Sequence, residues 1–220
     1  MNDHKAADPE ISFLFPTPVM VTSLANAATL NAQLKQVIVA RRAESSGVQR
    51  SNILGWHSDS EMLRWGGEAS KTLALETLQL CASRTDDVGM RGGVPRYEFG
   101  IEMWANISPP GASNQAHTHP GALWSAVYYV DDGGDAAAAL VLHDPNYPTN
   151  RMYAPDLQFV GANGERLPTS QMFEPAPGRL VVFPSWLSHA VKPSKGPGER
   201  ISIAMNVTTV PARNIPRTGA

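Results

Sequence analysis

The chain has 220 residues, of which 42% are hydrophobic, enough to bury one core of good size within a single domain, 1–220. Lys and Arg number 18 against 20 Asp and Glu, so no basic surface indicates a nucleic-acid or membrane partner. The single cysteine excludes an internal disulfide framework, no apolar run is long enough to span a bilayer, and the first residues lack a signal-peptide pattern, so we expect a cytoplasmic protein.

The first part of the chain, 1–94, predicts one strand followed by helices. Residues 13–21 have the pattern of a strand with prolines near its edge. Asn26 is a suitable N-cap for a helix whose apolar residues fall on one stripe. These residues are Leu30, Leu34, Val37 and Ile38. A second helix is expected from about 67 to 83, with Cys81 as a buried, inert thiol.

From 95 to 210 the pattern changes to short extended runs separated by Gly, Pro and Asp clusters. The runs are 96–107, 122–130, 137–143, 179–183 and 200–207. Short strands with frequent turns favour a jelly roll over a parallel sheet. The segment 146–174 has weak periodicity and predicts a long loop broken by one short strand, and 211–220 is a tail. The expected fold is mainly β with flanking helices.

Two histidines follow the first of these runs. His117 and His119 are two residues apart on an extended segment, so their side chains point to the same side. His189, from a distant strand, could complete one face of a divalent metal and leave the other positions open for substrate, cofactor or oxygen. A lone His-x-His pair is a weak signal that surface loops also carry. The third histidine favours a catalytic metal site.

The last predicted strand, 200–207, has two different faces. Arg200 and Ser202 alternate with apolar residues, so one face carries a guanidinium and a hydroxyl while the other is wholly apolar. Such a polar face indicates the lining of a cavity. Arginine can hold a carboxylate through two parallel hydrogen bonds, and the serine can add a third. The alternative is a surface strand with an exposed arginine.

Two families of metal enzymes share motifs with the chain. Gly111 followed by the histidine pair, and Gly178 followed by Pro184 and His189, resemble the two halves of the cupin signature. The glutamate that cupins carry shortly after the second histidine is absent here, because Leu123 and Trp124 stand in its place. The cupin match is therefore incomplete.

A closer resemblance is to a group of bacterial oxygenases that depend on iron and 2-oxoglutarate. Their pattern is His-x-His-Pro-Gly, Ser-x-Val-Tyr-Tyr-Val, Asp-Pro, Gly-x-Leu-Val-x-Phe-Pro-Ser-Trp-Leu-x-His and Glu-Arg-x-Ser. The corresponding segments of this chain are 117–121, 125–130, 144–145, 178–189 and 199–202. The resemblance implies a double-stranded β-helix, a cupin-like jelly roll, with flanking helices.

The same resemblance implies the cofactors and the residues that hold them. Fe(II) would be bound by the three histidines. The cosubstrate 2-oxoglutarate would be anchored by Arg200, helped by Ser202 and Tyr129, and O2 would be the oxidant.

Position 119 departs from the wider superfamily, in which His-x-Asp or His-x-Glu supplies an anionic ligand. Three neutral imidazoles would leave the iron site one charge unit more positive. We expect His119 to be the third ligand because it has the right register. Asp144 is the alternative carboxylate ligand.

The leading functional hypothesis is an Fe(II)- and 2-oxoglutarate-dependent dioxygenase that hydroxylates a small molecule or a peptide side chain. The alternative is a cupin-like three-histidine metalloenzyme that does not use 2-oxoglutarate. A third reading, a sugar- or ligand-binding jelly roll, would have no need for three convergent histidines. Neither nucleic acid nor a membrane is expected as a partner, and the sequence is compatible with a homodimer.

Overall fold

The computed structural model describes residues 12, 14–146 and 156–212. Residues 1–11 and 13 of the predicted N-terminal part, 147–155 of the predicted loop and 213–220 of the predicted tail lie outside the described residues. The division of the chain at 94 and 210 within one domain stays a prediction.

Helices lie in the first half of the chain and strands dominate the second. The helices are α1 (Ala27–Glu44), α2 (Met62–Trp65) and α3 (Gly67–Ala82). The early strands are β1 (Met20–Ser23), β2 (Asn52–Ile53) and β3 (Trp56–His57). The later strands are β4 (Tyr97–Ser108), β5 (Ser113–His117), β6 (Trp124–Asp131), β7 (Leu140–His143), β8 (Ser170–Phe173), β9 (Arg179–Pro184), β10 (His189–Val191) and β11 (Arg200–Pro211). None of the described helices is long and apolar enough to cross a membrane.

The strands form two antiparallel sheets. The major sheet has six strands in the order β1-β9-β6-β11-β4-β3, and the minor sheet has five in the order β2-β5-β10-β7-β8. Strands that are neighbours in a sheet are distant in the chain, as β11 between β4 and β6 illustrates. The expectation of a mainly β, double-stranded β-helix with flanking helices is confirmed.

The outer face of the major sheet is covered by helices α1 and α3. Apolar residues from the sheet and the helices form one buried cluster there, so burial of these side chains holds the helices on the sheet. The helix contribution comes mainly from Leu30, Leu34, Ile38, Leu73 and Cys81. Full burial of a leucine or isoleucine stabilises the fold by about 1.5–3 kcal/mol. The predicted apolar stripe of α1 is therefore the face that contacts the sheet.

A smaller apolar cluster lies on the inner side of the sheets. Its buried members are Leu140, Leu142, Val181, Phe183 and Leu187. Because side chains alternate between the two faces of a strand, β9 contributes Val181 and Phe183 to this cluster and Leu180 and Val182 to the outer one. The inner cluster forms an apolar wall beside the polar residues described below.

Two local predictions differ from the structure. Strand β1 begins at Met20 and not near residue 13, because Pro16 and Pro18 have no N–H for a sheet hydrogen bond. Asn26 is the N-cap residue of α1, but its side chain makes no capping hydrogen bond. The short strands β2 and β3 were not predicted, since runs of two residues carry no measurable periodicity.

Candidate metal centre and cosubstrate pocket

The three predicted metal ligands converge on the inner side of the minor sheet. His117 ends β5, His189 begins β10, and the two residues are paired directly across the antiparallel strands. Their ring centroids are 4.3 Å apart. His119 lies just beyond β5, where its backbone N–H donates to the Ser185 carbonyl at 3.0 Å. That bond holds its ring 4.9 Å from the His117 ring and 5.1 Å from the His189 ring.

One nitrogen from each imidazole lies within 4.8 Å of the other two. Metal–nitrogen bonds of about 2.0–2.1 Å hold neighbouring ligand atoms roughly 3–4 Å apart. A single ion therefore fits between the rings after small side-chain adjustments. In the described part of the chain this is the only cluster of three or more metal-ligating side chains.

Backbone carbonyls determine which ring nitrogen of two histidines carries the proton. His117 Nδ1 lies 2.7 Å from the Gln115 carbonyl oxygen, and His189 Nδ1 lies 3.0 Å from the Leu187 carbonyl oxygen. A carbonyl oxygen only accepts hydrogen bonds, so Nδ1 is the donor in both neutral rings. Each Nε2 then has a free lone pair, the form in which histidine binds a metal.

The third imidazole has a different partner. His119 Nδ1 lies 3.3 Å from the Asn206 side-chain amide, whose other end accepts from the Ser125 hydroxyl at 3.0 Å. An amide can turn either end to the ring, and a hydroxyl can donate or accept in response. This pair can therefore support the tautomer in which His119 Nε2 is free. The His119 ring also contacts the Trp104 ring, with centroids 5.7 Å apart.

Other histidines and the alternative carboxylate lie outside the cluster. Asp144 follows β7, and its carboxylate accepts a hydrogen bond from the Asn146 backbone N–H at 2.9 Å. His143 ends β7 and is also not among the three clustered rings. His57 lines the same cavity but stacks on Trp104 at 5.5 Å instead of joining the other rings. The geometry favours His119 over Asp144 as the third ligand.

Burial keeps two of the three clustered imidazoles neutral. It lowers the pKa of His119 from 6.5 to about 4, with a smaller electrostatic contribution from the neighbouring His117. Burial also lowers the pKa of His189 to about 3, against the opposing effect of its bond to the Leu187 carbonyl. Because a metal competes with protons for the same lone pairs, neutral rings favour metal binding near pH 7.

Arg200 begins β11 and is almost completely buried, with 1% of its surface exposed. Its Nη1 donates to the Ala138 carbonyl at 2.9 Å and its Nη2 to the Ser108 hydroxyl at 3.0 Å. Its Nε has no partner, and no described carboxylate forms an ion pair with the guanidinium. A buried cation without a counter-ion is costly, so this site is suited to an anionic ligand.

Two more buried polar atoms without partners belong to residues that flank Ser202 in the sheet. The Tyr129 hydroxyl makes no hydrogen bond, although the Leu140 backbone N–H is near, and burial raises the pKa of this tyrosine to about 12. The side-chain amide oxygen of Asn106 also has no hydrogen-bond partner. Both residues are paired with Ser202 of β11, one from each side. Among the described residues, four buried side-chain nitrogen or oxygen atoms have no hydrogen-bond partner. The Tyr129 hydroxyl, the Asn106 side-chain oxygen and Arg200 Nε are three of them.

A cavity of about 470 Å³ is lined by the three histidines and by Asn106 and Ser202. Tyr129 and Arg200 are not among its lining residues. Tyr129 is the strand partner of Ser202 on β6, and Arg200 precedes Ser202 by two residues on β11. The structure thus brings the three histidines and Ser202 to one cavity and places the other two predicted residues next to Ser202 in the sheet.

Sequence reasoning did not assign a role to Ser108 or Asn106. Asn106 was visible only as one polar residue on the alternating strand β4, and Ser108 ends that strand without any motif. Their position opposite β11 gives them their contacts, since Ser108 pairs with Arg200 and Asn106 with Ser202. Only the register between two strands distant in sequence could have revealed this.

A double-stranded β-helix with three imidazoles around an open cavity defines a mononuclear, non-haem metalloenzyme class. Within that class, the buried cation at the end of the cavity is suited to an anionic cosubstrate.

The family comparison agrees with this class. Residues 102–206 match the family model described as "Putative 2OG-Fe(II) oxygenase". The match includes the three histidines, Tyr129, Arg200 and Ser202. Residues 102–206 thus carry a 2OG-Fe(II) oxygenase domain, a family that uses Fe(II), 2-oxoglutarate and O2, and this match supports a 2-oxoglutarate-dependent iron dioxygenase. No curated protein matches the chain.

Solved structures with the same fold are distant in sequence. A Pseudomonas putida prolyl-4-hydroxylase has 21% identity and a TM-score of 0.53, covering 86% of this chain and 91% of its own. A prolyl hydroxylase from Trichoplax adhaerens, in complex with a hypoxia inducible factor peptide fragment, has 15% identity and a TM-score of 0.56, with coverages of 86% and 83%. HygX from Streptomyces hygroscopicus, with nickel and 2-oxoglutarate bound, has 12% identity and a TM-score of 0.55, with coverages of 87% and 83%. At these identities the likeness establishes the fold.

The metal-free protein should lose stability as the pH falls below about 6.5. The unfolded chain binds protons at its histidines near pH 6.5, whereas the folded chain resists protonation of His119 and His189 until about pH 4 and 3. Stability from the neutral rings is therefore complete above pH 6.5 and is lost progressively below it. Thermal unfolding of protein treated with a chelator, followed from pH 8 to pH 4, measures this slope.

A control separates these rings from other titrating groups. His189→Gln should reduce the slope, with His119 and His57, whose pKa values burial also lowers, contributing the remainder. Salt bridges lower the pKa values of Asp59 and Asp131, and these carboxylates contribute to the slope only below about pH 5, where the unfolded chain begins to protonate them. An unchanged slope in the variant would contradict the assignment.

Removal of the Asn206 amide should weaken metal binding without preventing folding. Asn206→Ala leaves His119 Nδ1 without its partner, and loss of such an outer hydrogen bond costs about 10–100-fold in metal affinity. Asn206→Asp restores an acceptor for His119 Nδ1–H and should recover most of the lost metal affinity. Competition with a metal-binding dye measures the affinities, and equal affinity in the alanine variant and the wild type would indicate that His119 is not a ligand.

Proposed function

We propose that the Nε2 atoms of His117, His119 and His189 hold Fe(II), and that Arg200 with Tyr129 and Ser202 anchors 2-oxoglutarate. The support for the metal site is the convergence of three imidazoles whose outer nitrogens already have partners. The support for the anchor is chemical need, because a dicarboxylate supplies the acceptors that Arg200 Nε and the Tyr129 hydroxyl lack. Asn206 and Ser125 would orient His119.

The observation that carries this proposal is the buried guanidinium without a carboxylate partner. Desolvation lowers the pKa of Arg200, yet a guanidinium stays charged in proteins, so the charge requires compensation. A cupin-like enzyme that does not use 2-oxoglutarate would have no role for this buried cation two residues before the cavity-lining Ser202. The arginine thus favours the dioxygenase over that alternative.

Each group of residues has its own task in the reaction. Bound iron, with 2-oxoglutarate and O2, supplies oxidation of a substrate C–H bond coupled to decarboxylation of the cosubstrate. Three neutral ligands leave the full charge of the metal to attract the keto-acid end of the cosubstrate. The guanidinium, hydroxyls and imidazoles orient the reactants, and the apolar wall at Leu140 and Phe183 limits access of water.

The substrate would be a small molecule or a peptide side chain, and the reaction a hydroxylation. The cavity of about 470 Å³ falls within the usual range of small-ligand pockets, about 300–1,000 Å³. A volume of this size also accepts a single side chain of a peptide that lies across the mouth. The reported peptide complex of the Trichoplax adhaerens neighbour is one precedent for the second arrangement.

Loss of either strand histidine should abolish tight iron binding. His117→Ala and His189→Ala each leave two protein ligands in an open site, which cannot retain the ion. His143→Ala is the matched control, because this ring ends the adjacent strand but lies outside the cluster. Anaerobic Fe(II) titration with circular dichroism as a folding check measures the outcome. Stoichiometric iron in both cluster variants would remove the proposed site.

Substitution of Arg200 should weaken 2-oxoglutarate binding in proportion to the lost contacts. Arg200→Ala removes the partner of a desolvated carboxylate, a loss of roughly 2–5 kcal/mol or about 30-fold to several thousand-fold in affinity. Arg200→Lys keeps the charge but lacks the planar pair of donors. Its affinity for 2-oxoglutarate should lie between those of the wild type and Arg200→Ala.

Affinity can be read from the visible charge-transfer band of the anaerobic iron complex. Arg42→Ala, which removes a surface ion pair with Glu199, is the control and should bind 2-oxoglutarate normally. Wild-type affinity in Arg200→Ala would refute the cosubstrate assignment and leave the three-histidine enzyme without 2-oxoglutarate as the explanation of the site.

A further inference from the structure

The pairing of β4 with β11 orders the inward-facing residues along the cavity. Successive pairs on this face join Ser108 to Arg200 and Asn106 to Ser202 at the closed end. The same face continues through Trp104, paired with Ala204, to Glu102, paired with Asn206. At about 3.4 Å per residue, Glu102 lies roughly 20 Å along the strand from Ser108. Glu102 therefore lines the end of the cavity opposite the proposed cosubstrate anchor.

Glu102 is also close to the proposed metal ligands. Its strand partner Asn206 contacts His119, and its neighbour on the same face, Trp104, contacts the His119 ring. A group bound to the Glu102 carboxylate would lie on the substrate side of the metal site, away from Arg200. The carboxylate is exposed to the cavity mouth.

A single basic side chain lines the facing wall. Arg50 immediately precedes β2, which forms the edge of the minor sheet beside β5. The adjacent Ser51 carbonyl accepts from the Gln115 backbone N–H at 2.9 Å, which fixes this segment against β5. The positive charge of Arg50 helps to lower the pKa of His57, so the Arg50 guanidinium lies near the His57 ring.

Glu102 and Arg50 are the only acidic and basic side chains that line the cavity, the histidines apart. Within the described ranges neither side chain forms an ion pair or a hydrogen bond. The acidic residues next to the mouth are occupied: Asp59 pairs with Arg41, and Glu61 with Arg64. The cavity thus presents one available anion and one available cation to an incoming molecule.

We propose that Glu102 and Arg50 form a subsite for a zwitterionic substrate, a free amino acid or a close analogue. The ammonium group binds Glu102 and the carboxylate binds Arg50, while the side chain extends towards the three histidines. A purely cationic molecule would be repelled by Arg50, and a purely anionic one by Glu102. The same repulsion directs 2-oxoglutarate to the other end. The inference names the substrate class of the proposed oxygenase and rests on that proposed function.

The test is ligand-observed NMR of the full-length protein with 2-oxoglutarate, first without metal and then with diamagnetic Zn(II). The probes are the twenty common amino acids and, for each binder, its N-acetyl and carboxamide derivatives. We expect at least one amino acid to bind and each derivative to bind up to about 5-fold more weakly, the effect of losing one exposed charge contact. Binding should also weaken with added NaCl, because contacts at a cavity mouth are screened.

Variants assign each charge to its residue. Glu102→Gln should remove the preference for the free amine over the N-acetyl form, and Arg50→Gln the preference for the free carboxylate over the carboxamide. Glu98→Gln on the same strand and Arg84→Gln after α3, both exposed residues outside the cavity, are matched controls that should leave both preferences intact. Glu102→Asp, with the charge kept, provides a second variant if Glu102→Gln is poorly folded.

The proposal is overturned if no amino acid binds, or if both preferences survive in the two subsite variants. The signals of 2-oxoglutarate in the same samples separate this failure from a failure of the proposed function. Cosubstrate that binds while every amino acid fails eliminates the zwitterion subsite alone. Cosubstrate that does not bind wild-type protein under either metal condition eliminates the oxygenase assignment of the cavity.

Discussion

The alternation of side chains along β11 determines the arrangement of both the core and the site. This twelve-residue strand lies between β4 and β6 in the major sheet and is paired with both. Ile201, Ile203 and Met205 point outward to the helices, while Arg200 and Ser202 point inward. A shift of the register by one residue would bury the polar set under the helices and expose the apolar set to the cavity. The hydrophobic core therefore also fixes the orientation of the proposed anchor.

The energetic consequence is an inner surface that is incompletely satisfied without ligands. Arg200, Tyr129 and Asn106 each hold a buried polar atom that lacks a partner, and all three surround Ser202. Unsatisfied polar atoms of this kind each cost about 1–3 kcal/mol of stability. Burial of the outer apolar cluster offsets this loss of folding stability. A bound dicarboxylate would supply the missing hydrogen bonds, and their formation would contribute to its binding free energy.

The metal centre depends on the same balance between burial and hydrogen bonding. Burial holds His119 and His189 neutral, and backbone carbonyls direct the free lone pairs of His117 and His189 towards one point. The His119 ring instead depends on a side-chain amide of β11. The strand that carries the proposed cosubstrate anchor thus also contacts one of the proposed metal ligands, so the two halves of the proposed active site share one structural element.

Much of this architecture could be predicted from local patterns. The periodicity of α1 and α3, the alternation on β4 and β11, and the motifs around His117, His119 and His189 are visible in short windows, because repeats of 3.6 and 2 residues reflect which side of an element is buried. The jelly roll followed from the strand patterns, the oxygenase class from the resemblance of the histidine motifs to a known family, and both are confirmed. The ligand set and the anchor residues stay predictions whose positions are compatible with their proposed roles.

Tertiary structure alone decided the remaining features. Nothing local to Ser108 or Asn106 links them to Arg200 and Ser202, and nothing local to Asn206 links it to His119, since each contact depends on the register between strands distant in the chain. The choice between His119 and Asp144 depends on which side chain the loop after β5 brings to the cluster. By itself the sequence determined which residues face inward. The packing of the two sheets determined which of them meet, because antiparallel pairing places residues together that no sequence spacing relates.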